Sequence, residues 1–244
     1  MSTVPWMADA FRKSGLKVLE VEGWKKRGRP GTFEPRGVVF HHTASGRKGG
    51  SAPSLGTVLN GRPGINGPLC NVLIGRDRTV RVIAAGRANH AGEGGPFRNI
   101  PKDSGNSFLI GVEVENDGVG EKWSPELLQT CDAVFAALLL GLRRQPDWLI
   151  GHREWAPGRK IDPARTNAGL PTMNQVRSRV AARMRTTGPP QDIRPDSSGI
   201  YVVKKGDTLF RIALDHRMSV PELMKLNNLK GTTIFPGQKL DVKR

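Results

Sequence analysis

Apolar residues in the first two thirds of the chain gather in short β-branched runs: residues 37–40 (GVVF), 71–74 (NVLI), 80–84 (VRVIA) and 109–114 (LIGVEV). Several are almost uninterrupted by polar residues, the pattern of strands buried on both faces. The polar break at 76–79 predicts a hairpin between the second and third runs. A different periodicity follows Ser124-Pro125, an N-cap serine with proline at the first helical position. Leu127, Leu128, Cys131, Val134, Phe135, Leu138, Leu139 and Leu142 then recur at helical spacing. Further helices are expected over 172–184, 5–13 and 53–60. Strands interspersed with helices predict an α/β domain, a mixed central β-sheet flanked by helices.

Residues 183–199, RMRTTGPPQDIRPDSSG, hold adjacent prolines and few apolar side chains, as a linker does. Beyond them, a strand at 201–203, helices at 208–216 and 219–226 and a strand at 239–242 predict a compact βααβ unit, near the lower size limit for independent folding. The expected organisation is a catalytic domain over 1–182, a linker over 183–199 and a small domain over 200–244. A length of 244 residues suits one medium and one small domain. The hydrophobic content of 37% lies well above the disordered class.

Lysine and arginine outnumber aspartate and glutamate by 38 to 22, a formal charge of +16. The excess is spread along the chain without a dense basic run, so it favours a polyanionic partner without naming one. A nucleic-acid binder would need a recognition motif that the chain lacks. The start, MSTVPWMADAFRKSG, has no apolar core followed by a small-residue cleavage site, and no window has the apolar length of a membrane span. Synthesis in the cytoplasm without a signal peptide, as a monomer, is the expectation. Cys70 and Cys131 are too few for a disulfide framework and are expected to be buried apolar residues.

The histidines are His41, His42, His90, His152 and His216. His41 and His42 follow a buried run and point to opposite faces, so at most one faces a site at the strand end. His152 ends another apolar run and opens GHREWAPGRKIDP, which also carries Lys160 and Asp162. Two imidazoles and a carboxylate, with a fourth position left open, are the ligand set of a catalytic zinc. Glu113 lies in an apolar strand with Glu115 on the same face. Such surroundings raise a carboxyl pKa toward the range of a general base.

The segments GVVFHHTAS, CNVLIGRDRTVRVIAAGRANHAG, FLIGVEVEN and GHREWAPGRKIDP, in this order, resemble the zinc N-acetylmuramoyl-L-alanine amidases of the type 2 amidase and peptidoglycan-recognition superfamily. The resemblance covers about residues 15–180. It implies one Zn2+ held by His41, His152 and Asp162, and Lys160 as the cation that stabilises an oxyanion. It places a glutamate or a tyrosine as the proton carrier; the sole tyrosine is Tyr201, in the small unit, which leaves Glu113. His90 matches a residue along the substrate groove, where Asn89 replaces a common tryptophan. Asn71 stands where many relatives have histidine, and both His90 and Asn71 are expected to bind substrate. His42 is expected to be packed or to support a ligand, and His216 to lie on a surface helix.

Residues 200–244 resemble a LysM module in YVVKKGDTLFRIA, LMKLNNL and IFPGQKLDV. The resemblance implies an N-acetylglucosamine-containing glycan between two lips, Gly206, Asp207, Thr208 and Leu209 on one side and Ile234, Phe235, Pro236 and Gly237 on the other. Cap, turn and core roles for these residues are equally compatible with the pattern. Together the resemblances imply a peptidoglycan hydrolase, endolysin-like, that reaches the wall after release from the host cytoplasm. A peptidoglycan-binding protein that does not cleave is the alternative class, and a cytoplasmic muropeptide recycler the alternative context.

Overall fold

The computed structural model describes residues 3–164, 169–187, 199–204, 207–216 and 218–242. The chain divides into two compact units, Met1–Val180 and Ala181–Arg244. In the first, the strands are β1 (Val18–Glu20), β2 (Gly37–His42), β3 (Gly61–Arg62), β4 (Ile65–Asn66), β5 (Val72–Ile74), β6 (Val80–Val82), β7 (Leu109–Val114) and β8 (Leu149–Gly151). Six of them form one sheet in the order β1-β6-β5-β7-β2-β8, and β3 pairs with β4 separately. All sheet neighbours run parallel except β5 and β6, the expected hairpin. Every residue of β2 is buried, which is why its sequence is continuously apolar until the histidines.

Helices α1 (Met7–Lys13), α2 (Leu55–Asn60), α3 (Gly105–Phe108), α4 (Pro125–Gly141), α5 (His152–Trp155) and α6 (Met173–Thr187) complete this set, α6 running across the division between the units. The N-cap of α4 is as expected: the Leu127 amide donates to Ser124 Oγ at 3.2 Å, and Pro125 opens the helix. Phe135 from α4 packs against Phe40 of β2 with ring centroids 4.9 Å apart, and Trp123 meets the same ring at 5.6 Å. A buried phenylalanine of this kind contributes about 1.5–3 kcal/mol. Both cysteines are free and buried, and burial pushes their thiols above the usual range.

Three differences from the sequence expectation have local causes. Helix α6 continues beyond Arg183 to Thr187, because arginine and methionine sustain a helix until the Gly188-Pro189-Pro190 break. The rest of the expected linker, 188–198, lies outside the described residues. His152 starts the single turn α5 rather than a loop, with the Gly151 amide donating to Glu154 Oε2 at 2.9 Å. The pairs in β3–β4 are too short for an alternating pattern to register.

The second unit has β9 (Ile200–Val202) antiparallel to β10 (Lys239–Asp241), with α7 (Leu209–Asp215) and α8 (Val220–Leu226) between them. Its core gathers Val203, Leu209, Ile212, Met218, Leu223 and Leu240. Ser219 and Glu222 form a reciprocal cap on α8, with the Ser219 amide donating to Glu222 Oε2 at 2.7 Å and the Glu222 amide to Ser219 Oγ at 3.3 Å.

His216 corrects the expectation of a surface residue. It is 7% exposed, its ring meets Tyr201 edge-on at 5.5 Å, and its Nε2 is buried with no hydrogen-bond partner. Burial lowers its pKa below the ordinary value. A histidine that resists protonation when folded but accepts it when unfolded gives stability that is present above about pH 6.5 and declines as pH falls toward the folded pKa. Amide hydrogen exchange in α7 and α8 is therefore expected to quicken between pH 7.5 and 5.5 more than intrinsic rates allow. His216→Phe should remove that excess; an unchanged excess in the variant would place its source elsewhere.

Candidate active site

The parallel pairing of β2 and β7 sets His41 beside Glu113 and His42 beside Val114. Alternation along β2 then sends the two imidazoles to opposite faces. His42 also borders the site cavity, but its Nδ1 accepts from Ala164 N at 3.1 Å and it is not one of the converging residues. His41 enters an open cavity of about 930 Å³, which Glu113, His90, His152, Lys160 and Asp162 also line. The segment after α5 delivers its last two members through backbone bonds: Lys160 N donates to Ala156 O at 3.0 Å, and Arg153 N to Asp162 O at 2.8 Å.

Three acceptor atoms converge in this cavity. His41 Nδ1 and His152 Nδ1 are 2.9 Å apart, and Asp162 Oδ2 lies 3.0 Å from the first and 2.9 Å from the second. All three residues are buried, His41 at 1% exposure. His152 Nε2 faces the Ala91 carbonyl at 2.9 Å and must donate to it, so the tautomer of a neutral ring here has its lone pair on Nδ1. Burial, partly offset by the contact with Asp162, lowers the pKa of His41 to about 4, so its imidazole is neutral at neutral pH. Burial opposes ionisation of Asp162, but the contacts with His152 and His41 outweigh it and hold the carboxyl below its usual range. Lone pairs and an anion facing one another need a cation between them. Edges near 3 Å suit a tetrahedral ion with bonds of ~2.0–2.1 Å, whose ligand edges are roughly 3.3 Å. The residues therefore fit zinc, and the same three form the one such cluster among the described residues.

Glu113 is half-buried and its Oε2 has no hydrogen-bond partner. Burial raises its pKa well above the ordinary value; the nearby charges of Asp162 and Glu115 add to this and Lys160 opposes it. Lys160 is half-buried at the cavity wall. Glu115, fully buried, is different: it accepts from Thr43 Oγ1 at 2.9 Å, from Ser54 N at 2.9 Å and Ser54 Oγ at 3.2 Å, and from Ser45 Oγ. This carboxylate ties down both ends of the 43–54 loop, one wall of the cavity. No sequence spacing links those residues. Arg62 and Arg159, also on the wall, were equally unmarked, although Arg159 adjoins Lys160 in the motif.

Of the two expected substrate residues, His90 reaches the cavity and Asn71 does not. Asn71 is fully buried and does not line it. Its Nδ2 donates to the carbonyls of Ala84 and Gly86 at 3.0 and 2.8 Å, and its Oδ1 accepts from Gly111 N at 3.0 Å. A side chain so engaged stitches β5 to β7 and has no free group for a ligand.

In the second unit, Gly206 lies outside the described residues. Asp207 Oδ2 accepts from Tyr201 Oη and Lys204 N, both at 2.7 Å; burial, and then this bond, push the Tyr201 phenol up to about 12. Thr208 Oγ1 caps α7 by accepting from Arg211 N at 3.1 Å, and Leu209 is core. On the other lip, Phe235 is 67% exposed, Ile234 packs on the core, and Gly237 N donates to Val203 O at 2.7 Å within the Pro236-Gly237 turn.

Residues 31–165 match the N-acetylmuramoyl-L-alanine amidase family, Amidase_2, and residues 201–243 match the LysM domain. Among curated proteins, N-acetylmuramoyl-L-alanine amidase sle1 of Staphylococcus saprophyticus is 49% identical over 47 residues, 19% of this chain and 14% of that protein. The autolysin of Enterococcus faecalis is 50% identical over 44 residues, 18% of this chain and 6% of that protein. The chain thus spans a small part of the length of these relatives. Among solved structures, a selenomethionine derivative of AmpD shares 23% identity, covering 67% of this chain and 93% of that one with a TM-score of 0.48. The endolysin amidase LysCS from Clostridium intestinale shares 18%, covering 67% and 95% with a TM-score of 0.44. The amidase match alone spans more than half of the chain and encloses every member of the cavity cluster, and on that ground the chain belongs to the N-acetylmuramoyl-L-alanine amidase family, with a LysM domain at its C-terminal end.

Proposed function

We propose that this chain is a zinc-dependent peptidoglycan hydrolase that cleaves the amide between N-acetylmuramic acid and the L-alanine of the stem peptide. The observation that carries the reading is the convergence of His41, His152 and Asp162 on one point, beside a half-buried carboxyl with an unpartnered oxygen. Zinc, when bound by these three, supplies Lewis-acid polarisation and makes water a nucleophile at neutral pH. Glu113 takes the proton of the attacking water and delivers it to the L-alanine nitrogen as the C–N bond breaks; the surroundings that raise its pKa suit it to carry that proton. The Lys160 ammonium faces the charge that develops on the carbonyl oxygen. Residues 1–182 form the catalytic part in this reading, and 200–244 hold it on the glycan, raising local substrate concentration without altering the chemistry. The context proposed is endolysin-like, with action on the bacterial wall. No helix among the described residues is long and apolar enough to cross a membrane.

A wall-binding protein without activity would have no need of a complete donor set, and this chain keeps all three donors. Digestion of purified peptidoglycan followed by mass spectrometry separates the two. Stem peptides with a free L-alanine amine, lost on chelation and restored by zinc, are expected. Glycan fragments would displace the bond assignment, and pelleting on the wall without cleavage would leave a binding protein.

A further inference from the structure

His90 meets His41 on the ring edge away from the three converging atoms, and hydrogen bonds fix it on every side. Its Nε2 lies 3.0 Å from the carbonyl of Leu109, the first residue of β7. A carbonyl can accept but never donate, so Nε2 carries the ring proton and Nδ1 is left with a lone pair. That lone pair faces His41 Nε2 at 3.1 Å. It can be satisfied there by an N–H alone, so His41 is protonated at Nε2, and its own lone pair is left on Nδ1, the atom that meets His152 and Asp162. Without the Leu109 carbonyl and His90 the alternative tautomer of His41 would put a hydrogen where the metal belongs.

The relay is held rigidly. The amides of His90 and Ala91 both donate to Asn106 Oδ1, at 2.9 and 2.8 Å. The ring lies on the backbone of Gly111, where a Cβ would stand 2.5 Å from His90 Cγ, so glycine is required beneath it. We propose that His90 is a positioning residue that selects the metal-binding tautomer of His41, from Leu109 O through His90 to His41, in place of the expected contact with substrate. The inference rests on the metal reading above, and its test has one arm that needs no metal.

The first arm uses the full chain, stripped of metal and labelled with 15N-histidine. Long-range imidazole correlations are expected to show His41 as the Nε2–H tautomer in the wild type and as a mixture in His90→Leu. The second arm measures zinc affinity by competition with a chromogenic chelator. His90→Leu is expected to bind ~10–100-fold more weakly, the range for groups that orient a ligand, and His90→Asn, whose Oδ1 can replace the Nδ1 acceptor, to recover most of the loss. A wild-type tautomer and affinity in folded His90→Leu would overturn the proposal, as would an asparagine variant no better than leucine. Should His90→Leu not fold, His90→Asn decides: affinity within about threefold of wild type sustains the proposal and a tenfold loss overturns it. A wild type that takes up no zinc would remove the metal reading, while the tautomer arm would still test His90.

Discussion

Asp162→Ala is expected to release the metal and end amide hydrolysis together, with the fold of the first unit retained. Asp162 Oδ2 is the charged member of the triad, about equally close to both Nδ1 atoms. Removing it leaves two neutral imidazoles and one side of the site open to water. Groups that merely orient ligands change metal affinity by ~10–100-fold, so loss of a ligand should exceed that range. Metal content after gel filtration, near-UV circular dichroism and product release from purified peptidoglycan would be measured on the same samples. The backbone of Asp162 bonds to Arg153 N through its carbonyl, which alanine preserves, so a collapse of the fold is not expected. Retained zinc with lost activity would make Asp162 something other than a ligand.

Glu113→Gln is expected to divide activity from stability. Loss of a general acid–base group lowers kcat by ~10²–10⁴-fold. Zinc content should hold, because the triad is complete without this residue. Stability is expected to move the other way. Glu113 has an orphaned oxygen, and its pKa is raised by burial and by nearby anions. A carboxyl whose folded pKa is raised disfavours the folded state increasingly as pH climbs from its ordinary value of ~4.3 to the raised one. Metal-free Glu113→Gln should therefore melt above the wild type at pH 8 and close to it near pH 4. Unchanged turnover would assign the proton transfer elsewhere, and a lower melting temperature at pH 8 would mean that the ionised carboxylate is a structural asset.

The elements that could be read from the sequence are those whose pattern is set by burial on both faces or by a cap. β2, β7 and α4 each carry such a signal over six or more residues. β1 and the β3–β4 pair carry two or three residues each, below the length at which alternation differs from chance. In the site, strand alternation narrows His41 and His42 to one choice, and the resemblance makes it; the pairing of β2 with β7 adds the reason that Glu113 shares the face of His41. The work of Asn71, Glu115 and His90 was illegible for one shared cause. Each is defined by partners 13 to 72 positions away, so nothing in the neighbouring sequence separates a groove residue from a stitch, a loop anchor or a relay. His216 was misplaced because it follows a helix of only seven residues, too short a pattern to show its facing.

The register of β2 and β7 also acts as a ruler. His41 and Glu113 occupy directly paired positions on adjacent parallel strands, so their separation follows from the ~4.8 Å strand spacing that any sheet keeps. The 43–54 loop and the β3–β4 pair can then be lengthened, exchanged or recoloured without resetting the distance between His41 and Glu113. Choice of substrate and capacity for chemistry are inherited from different parts of the chain, and a graft of foreign walls onto this sheet should change the first while leaving the second in place.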